Sequence, residues 1–236
     1  MRRFFCAEAI EGKSVELSGS EAHHLLHVDR LGVGDEAELF DGRSGAHRAR
    51  VVEVSGSWAR LEVFEQVPEE RLPSRRVTLL SGVPKGRRMD VLVQMTCELG
   101  VERLVPVISA RSVVRPGPNK VEHWRRIVIE SCKQCGRNVL MRMEEPVMFS
   151  EALCSVAPDA LKLVMCGVRE AASVREVVPE EPSEVVILVG PEGGFSEGEV
   201  SEAVEAGFVA ASLGVTVLRT ETAGVCASAL VIGGVA

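Results

Sequence analysis

A chain of 236 residues, 46% apolar and 26% charged, is long enough for one large or two small cores and too apolar for a disordered segment. Residues 1–7 look like the start of a signal segment, but Glu8 and Glu11 interrupt it. The uncharged stretch 222–236 is shorter than the roughly 18 apolar residues of a membrane span, so a cytoplasmic protein is expected.

In chain order, short alternating runs at 15–17, 37–40 and 60–64, with turn signals at Gly19, 32–34, 41–42 and Gly56, predict a small β domain. One short helix is expected over 21–26. Residues 65–76, with Pro68 and Pro73 among charges, form a predicted linker that divides the chain into domains 1–72 and 73–236. A strand over 77–81 follows, then a helix over 87–99 that puts Met89, Leu92, Val93, Thr96 and Leu99 on one face and stops at Gly100. After a strand over 103–108, a helix over 121–135 aligns Val121, Trp124, Val128 and Ser131, which makes Trp124 a core or interface residue rather than a platform for stacking a base. Further strands are predicted over 162–166, 185–189 and 215–218. The alternation of strand and helix predicts an α/β fold with a mainly parallel sheet and helices on both faces.

The net charge of −7 is unevenly distributed. Residues 1–74 carry 9 Lys and Arg against 14 Asp and Glu (net −5), residues 75–142 carry 14 against 5 (net +9), and residues 143–236 carry 4 against 15 (net −11). Potentials are local, so the basic middle block can attract phosphates although the whole chain is acidic; the alternative is ordinary pairing on helix surfaces. Seven cysteines, an odd number, argue for free thiols, and the Cys132–Cys135 spacing has no second pair to complete a metal site. His23, His24 and His27 likewise lack a matching ligand set, so no metal is expected.

The densest information lies in two late loops. The apolar run 185–189 leads into Gly-Pro-Glu-Gly-Gly-Phe-Ser (190–196), and Leu-Gly-Val-Thr-Val-Leu (213–218) leads into Arg-Thr-Glu-Thr-Ala (219–223). Ligands of α/β proteins bind beyond the carboxyl ends of parallel strands, and glycine there permits close approach to the backbone. Ser196 and Glu199 form a capping box for a helix ending near Ala206, with Gly207 as its stop; Thr220 is the expected N-cap of a second helix, with Glu221 in its first turn. Glu192 and Glu221 fit either capping or a site, whereas Glu199 fits capping. No G-x-x-x-x-G-K-[ST], G-x-S-x-G or G-x-G-x-x-G motif is present, so a conventional Rossmann cofactor site is not expected.

These two motifs, at this separation, resemble the E-type small-subunit ribosomal RNA methyltransferases (RsmE) of the SPOUT superfamily. The resemblance extends over nearly the whole chain: Arg2-Arg3-Phe4-Phe5, Arg30-Leu31, Gly34-Asp35 and Phe40-Asp41-Gly42 early; Lys85-Gly86, Glu98-Leu99-Gly100-Val101, Arg111-Ser112, Gln134 and Arg137 in the middle. It implies a PUA-like β-barrel for RNA binding followed by a trefoil-knot methyltransferase domain, a homodimer, and S-adenosylmethionine as cofactor. The implied reaction is methylation of N3 of uridine 1498 in 16S rRNA. The cofactor residues it implies are Val164, Cys166 and Gly167 at one strand end, then Val189, Gly190, Pro191, Glu192, Gly193 and Gly194, and finally Leu213, Gly214, Leu218, Thr220, Thr222 and Ala223.

Uridine N3 carries a hydrogen and no free lone pair while the ring is neutral, so the reaction needs a proton acceptor and stabilisation of the negative charge that develops. Arg219 is the candidate for the charge, and Glu221 for the proton or simply as a cap. RNA capture is assigned to Arg30, Arg111 and Arg137, with Lys85, Arg87 and Arg88 in support, because guanidinium groups engage phosphates in pairs of hydrogen bonds and cations attract them. Gln134, one helical turn from Arg137, is assigned hydrogen bonds to an unstacked base or the sugar. Three departures from the family pattern bear on RNA contacts: Met95 where a lysine is usual, Asp29 before Arg30, and 138–141 without the common proline. Two rivals remain at this stage, a non-catalytic RNA-binding protein with the same fold and a small-metabolite enzyme that uses the Gly190 loop as an anion site.

Overall fold

Alternation of buried and exposed residues builds the first five strands of the computed structural model, which describes residues 1–43, 45–67, 72–166, 171–179 and 184–233. They are β1 (Arg2–Phe5), β2 (Ser14–Ser18), β3 (Glu36–Phe40), β4 (Ala46–Ser55) and β5 (Trp58–Val67). The sheet follows an open path β1-β3-β4-β5-β2, a half-barrel in which only the β1–β3 pair is parallel. Phe4, Leu17, Leu39, Val51 and Leu61 fill its core. The helix expected over 21–26 is present as α1 (Gly19–His23), which continues into a π-helical turn, His24–Val28, whose Leu25 enters the same core. Of the predicted linker, residues 68–71 lie outside the described residues.

The chain falls into two compact units: Met1–Leu72 with Ile129–Leu140, and Pro73–Val128 with Met141–Ala236. The segment Ile129–Leu140 belongs to the first unit through polar contacts. Lys133 Nζ lies 3.0 Å from Glu21 Oε1, Arg3 Nη2 donates to Asn138 Oδ1 at 2.7 Å, and the Leu140 amide donates to the Gly42 carbonyl at 3.2 Å.

The second unit is an α/β layer structure. Its strands are β6 (Arg76–Gly82), β7 (Arg103–Ile108), β8 (Arg142–Met143), β9 (Val147–Met148), β10 (Leu161–Met165), β11 (Ala172–Ser173), β12 (Glu184–Val189) and β13 (Val209–Ser212). They are ordered β11-β13-β10-β12-β6-β7-β8, with β9 beside β7, and every described pairing is parallel. Parallel strands covered on both faces read as continuous apolar runs, and β12 is buried from Val185 to Val189. One face carries α7 (Thr220–Ile232), which packs on β6 and β12, with α2 (Arg88–Leu99) packed on α7. The other carries α4 (Phe149–Cys154) and α6 (Glu197–Glu205), whose Phe149, Leu153 and Ala203 meet Leu80, Val186 and Leu188. The remaining helices are α3 (Pro118–Cys135), which spans the division between the units, and the short α5 (Val174–Val177). Gly100 stops α2 in the left-handed region at φ 96°, and Trp124 is a core residue whose Nε1 donates to Asp90 Oδ1 at 3.0 Å. Among the described residues no helix is long and apolar enough to cross a membrane.

Two local expectations are corrected. The strand predicted over 215–218 is absent, and the strand lies upstream at β13. Ala211 still pairs with Met165 and Ser212 with Ser173, but no described strand continues beside the residues that follow. The backbone leaves the sheet at Gly214, and Val215 and Val217 stand 98% and 90% exposed. A β-prone sequence without a neighbouring edge makes no ladder. Thr220 is not the N-cap of α7 but its first residue. Arg219 caps with its backbone, its carbonyl accepting from the Ala223 amide at 2.8 Å, while the Thr220 hydroxyl is engaged elsewhere.

The end of β6 is packed directly beneath the loop that follows β12. A Cβ on Gly82 would collide with the Pro191 backbone nitrogen and come within 2.7 Å of its Cδ. Gly82→Ala is therefore expected to cost about 1–3 kcal/mol, as overpacking of a close-packed interior does. Gly198→Ala should act oppositely, since nothing lies within 4 Å of that position in α6 and alanine favours the helix by up to about 1 kcal/mol. Urea midpoints of the two variants check both signs.

Candidate functional site

The carboxyl ends of β10, β12 and β13 converge on a cleft of about 570 Å³. Met165 and Cys166 come from the first strand end, Val189 and Gly190 from the second, and Ala211 to Leu213 from the third. The loop after β12 curls back on itself, with the Gly194 amide donating to the Pro191 carbonyl at 2.8 Å and Gly194 at φ 67°. The Thr220 hydroxyl donates to the Gly190 carbonyl at 2.9 Å and so ties the first turn of α7 to the end of β12. On the far side the capping box is formed as expected: Ser196 Oγ accepts from the Glu199 amide, and Glu199 Oε2 accepts from the Ser196 amide at 2.8 Å.

Of the residues proposed from sequence for cofactor binding, Cys166, Val189, Gly190, Pro191, Glu192, Gly194, Leu213, Gly214, Leu218, Thr220 and Ala223 line this cleft. Val164 does not; it faces the core with Val186 and Leu188. Gly193 does not line it either, being packed against Arg111, and Thr222 is exposed on α7 outside the lining. Gly167 lies outside the described residues. Met165 lies within the strand end 164–167 expected from sequence; Phe195, Glu197, Val200, Ser201, Ala211, Ser212, Thr216 and Val217 were missed. The helical spacing of Glu197, Val200 and Ser201 was the available signal, because positions i, i+3 and i+4 share one face.

Charge is organised around the same loop. Glu192 Oε1 accepts from the Lys85 amide at 2.9 Å and from Arg88 Nη1 at 3.3 Å. Partial burial opposes its charge, but these hydrogen bonds and the Arg88 and Lys85 charges outweigh it and hold the carboxyl below its ordinary 4.5. Arg88 Nε also stands 3.8 Å from Glu221 Oε1, while Glu221 Oε2 is buried with no hydrogen-bond partner among the described residues. The Arg219 side chain is exposed, and among the described residues no hydrogen bond or ion pair engages it.

The residues proposed for RNA divide. In the second unit Lys85 and Arg87 have exposed side chains, and Arg88 holds the two carboxylates. Arg111 is exposed but occupied: its Nη1 donates to the carbonyls of Gly193 at 2.9 Å and Phe195 at 3.2 Å. In the first unit Arg30 and Gln134 are exposed, whereas Arg137 is only 3% exposed and is not offered to a phosphate in solution. Among the described residues no group of three His, Cys, Asp or Glu is placed to hold a metal ion.

Comparison with known proteins fits this geometry. The family model described as an RNA methyltransferase domain matches residues 70–232, and that of an RNA methyltransferase PUA domain matches residues 17–63. The chain is 32% identical over 219 residues to the ribosomal RNA small subunit methyltransferase E of Synechocystis sp., covering 92% of this chain and 72% of that protein. It is 30% identical over 238 residues to the Bacillus subtilis protein of the same name, covering 94% and 93%. The crystal structure of a ribosomal RNA small subunit methyltransferase E from Neisseria gonorrhoeae bound to S-adenosyl methionine aligns with a TM-score of 0.90 at 35% identity, covering 97% and 95%.

Glu199 allows a test by pH. Partial burial raises its pKa, but hydrogen bonds from the Ala110 amide and from Ser196, with the Arg111 charge, lower it further, and the net is a value below the ordinary 4.5. A depressed folded pKa contributes stability that is fully present above about pH 4.5 and is lost as pH falls through the folded value. Glu199→Gln should therefore be less stable than the parent at neutral pH, and the gap should close below pH 4.5. Urea midpoints across that range measure it; a gap constant with pH would refute the assignment.

Proposed function

This chain belongs to the ribosomal RNA small subunit methyltransferase E family, a family of S-adenosylmethionine-dependent rRNA methyltransferases, and we propose that its acceptor is N3 of a uridine in 16S rRNA. The observation that carries this reading is the cleft at three parallel strand ends, lined by Leu218, Thr220 and Ala223; between these stand Arg219, whose side chain has no partner among the described residues, and Glu221, whose Oε2 has none among them. The small ribosomal subunit RNA is the macromolecular partner and the cytoplasm the place of action.

The cleft suits the cofactor in size and chemistry. Small-molecule sites run to about 300–1,000 Å³ and combine apolar walls with a few backbone polar groups. Here Val189, Leu213 and Leu218 supply apolar surface, and the backbone of 190–194 supplies amides and carbonyls. When bound, S-adenosylmethionine supplies a methyl group on a sulfonium centre. The chain must then orient the base, exclude water and manage one proton. The guanidinium of Arg219 stabilises negative charge on the uridine carbonyl oxygens as N3 loses its hydrogen. Glu221 Oε2, a buried acceptor, takes that proton. Lys85 and Arg87 hold the RNA backbone near the cleft, while Arg88 is engaged by Glu192 and Glu221. A homodimer covers the outer side of α7, where Val225, Leu230 and Ile232 are only partly buried within the chain.

Nucleoside analysis of rRNA from cells with and without the gene tests the reaction directly, and loss of 3-methyluridine is the expected result. Arg219→Ala should lower turnover by roughly a hundredfold or more, the scale for losing one donor to a developing oxyanion, with S-adenosylmethionine affinity little changed. Equal losses in both would make Arg219 part of the cofactor scaffold instead.

A further inference from the structure

The turn after β7 grips the cleft loop at both ends. The turn is itself fixed, with the Ser109 amide donating to Ser112 Oγ at 2.9 Å and the Ser112 amide to the Ser109 carbonyl at 3.1 Å. From it, the Ala110 amide donates to Glu199 Oε1 at 2.7 Å, while the other oxygen of that carboxylate holds Ser196, the last residue of the loop. The next residue, Arg111, donates through one nitrogen to the carbonyls of Gly193 and Phe195. One nitrogen reaches two carbonyls two residues apart only if the loop is curled, so the contact selects that shape. Gly193 is part of the same fit: a Cβ there would lie 3.3 Å from Arg111 Cβ and 3.6 Å from its Cδ. The glycine makes room for the arginine stem, not for the cleft.

We propose that Arg111 is a positioning residue for the cofactor: it holds the loop 190–196 in the curled form that walls the cleft, and it does not serve as a phosphate contact. The inference rests on the methyltransferase reading above. Among the described residues the loop has no ladder partner of its own beyond β12. Its opposite edge is held by Glu192 at the Lys85 amide, so Arg111 and Glu192 brace it from two sides. Gly190, Pro191, Glu192, Gly194 and Phe195 all line the cleft, and a loop that must be ordered before it can bind gives up affinity in proportion to the fraction of time it is disordered.

The test uses calorimetry with S-adenosylmethionine, steady-state kinetics on small-subunit RNA, and RNA affinity as a function of salt, for the parent, Arg111→Ala and Gly193→Ala. Hydrogen bonds from a charged donor are the stronger class, so Arg111→Ala should raise the dissociation constant and KM for S-adenosylmethionine roughly tenfold or more. Turnover at saturating cofactor should hold within about threefold, and the salt slope of RNA binding should match the parent's, because no phosphate contact is lost. Gly193→Ala presses on the same contact from the loop side and should show the same cofactor-selective loss at smaller size. It keeps the idea testable if Arg111→Ala folds poorly. Parent-like cofactor affinity in folded Arg111→Ala, with weaker RNA binding and a flatter salt slope, would overturn the brace and restore Arg111 to the RNA surface. Failure of the parent protein itself to bind S-adenosylmethionine would overturn the methyltransferase reading and this inference with it.

Discussion

The position of β12 constrains everything at the site. It is hydrogen-bonded along both edges, to β10 and β6, and its residues from Val185 to Val189 are buried. A strand enclosed this way cannot slip in register without moving its apolar side chains, and of these only Val189, at its carboxyl end, reaches the cleft. What it can present is its end, where the ladder stops and backbone groups need new partners. The Gly190 carbonyl takes the Thr220 hydroxyl, and the Pro191 carbonyl takes the Gly194 amide. The cleft wall is therefore built largely from backbone, and two of the loop's three glycines, Gly190 and Gly194, line it, while Gly193 makes room for Arg111.

Carboxylates stabilise that wall from outside. Glu199 caps its own helix and also accepts from the Ala110 amide; Glu192 accepts from the Lys85 amide. Both are ionised acceptors of backbone donors, a strong class of hydrogen bond and one that survives partial exposure better than a simple surface ion pair. Each joins the loop to a segment far away in sequence, so the loop's shape depends on the turns after β6 and β7. Glu221 differs. Its Oε1 faces Arg88 at 3.8 Å and its Oε2 has no donor among the described residues, an arrangement more costly than useful unless a ligand completes it.

Elements whose signal is periodic were legible in the sequence: the helices α2 and α6 with their stops at Gly100 and Gly207, the strands β6, β7 and β12, and the core position of Trp124. What failed was whatever depends on a neighbour. Residues 215–218 have strand-like composition, yet a strand needs an open edge, and the position of that edge is a property of β10, β11 and β13 together. Thr220 has the right chemistry for an N-cap, but the Gly190 carbonyl, 30 residues away, competes for its hydroxyl. The inclusion of Ile129–Leu140 in the first unit rests on Lys133, Asn138 and Leu140, whose partners are more than ninety residues distant. Family motifs located the cleft well because they mark its strand ends; they were less informative on which residues face into it.

Charge shows the same gap between sequence and space. The basic block 75–142 has a net charge of +9 along the chain, but much of it is matched by acids from outside the block. Arg76 pairs with Glu184, Arg103 with Glu144, Arg125 with Glu145, Arg88 with Glu192 and Glu221, and Lys133 with Glu21. Exposed pairs of this kind add little stability, but they do remove cations from the pool that a phosphate can meet without first breaking a contact. Among the described residues of the second unit, the exposed cations of the block without an ion pair are Lys85, Arg87, Arg111, Arg115 and Arg126, and Arg111 is already committed to two carbonyls. The ones nearest the cleft in connectivity are Lys85 and Arg87. The backbone of the first is bonded to Glu192 in the cleft loop. Glu192 therefore ties the wall of the cleft to the segment that carries these two cations, beside the packing of Gly82 at the end of β6 against Pro191.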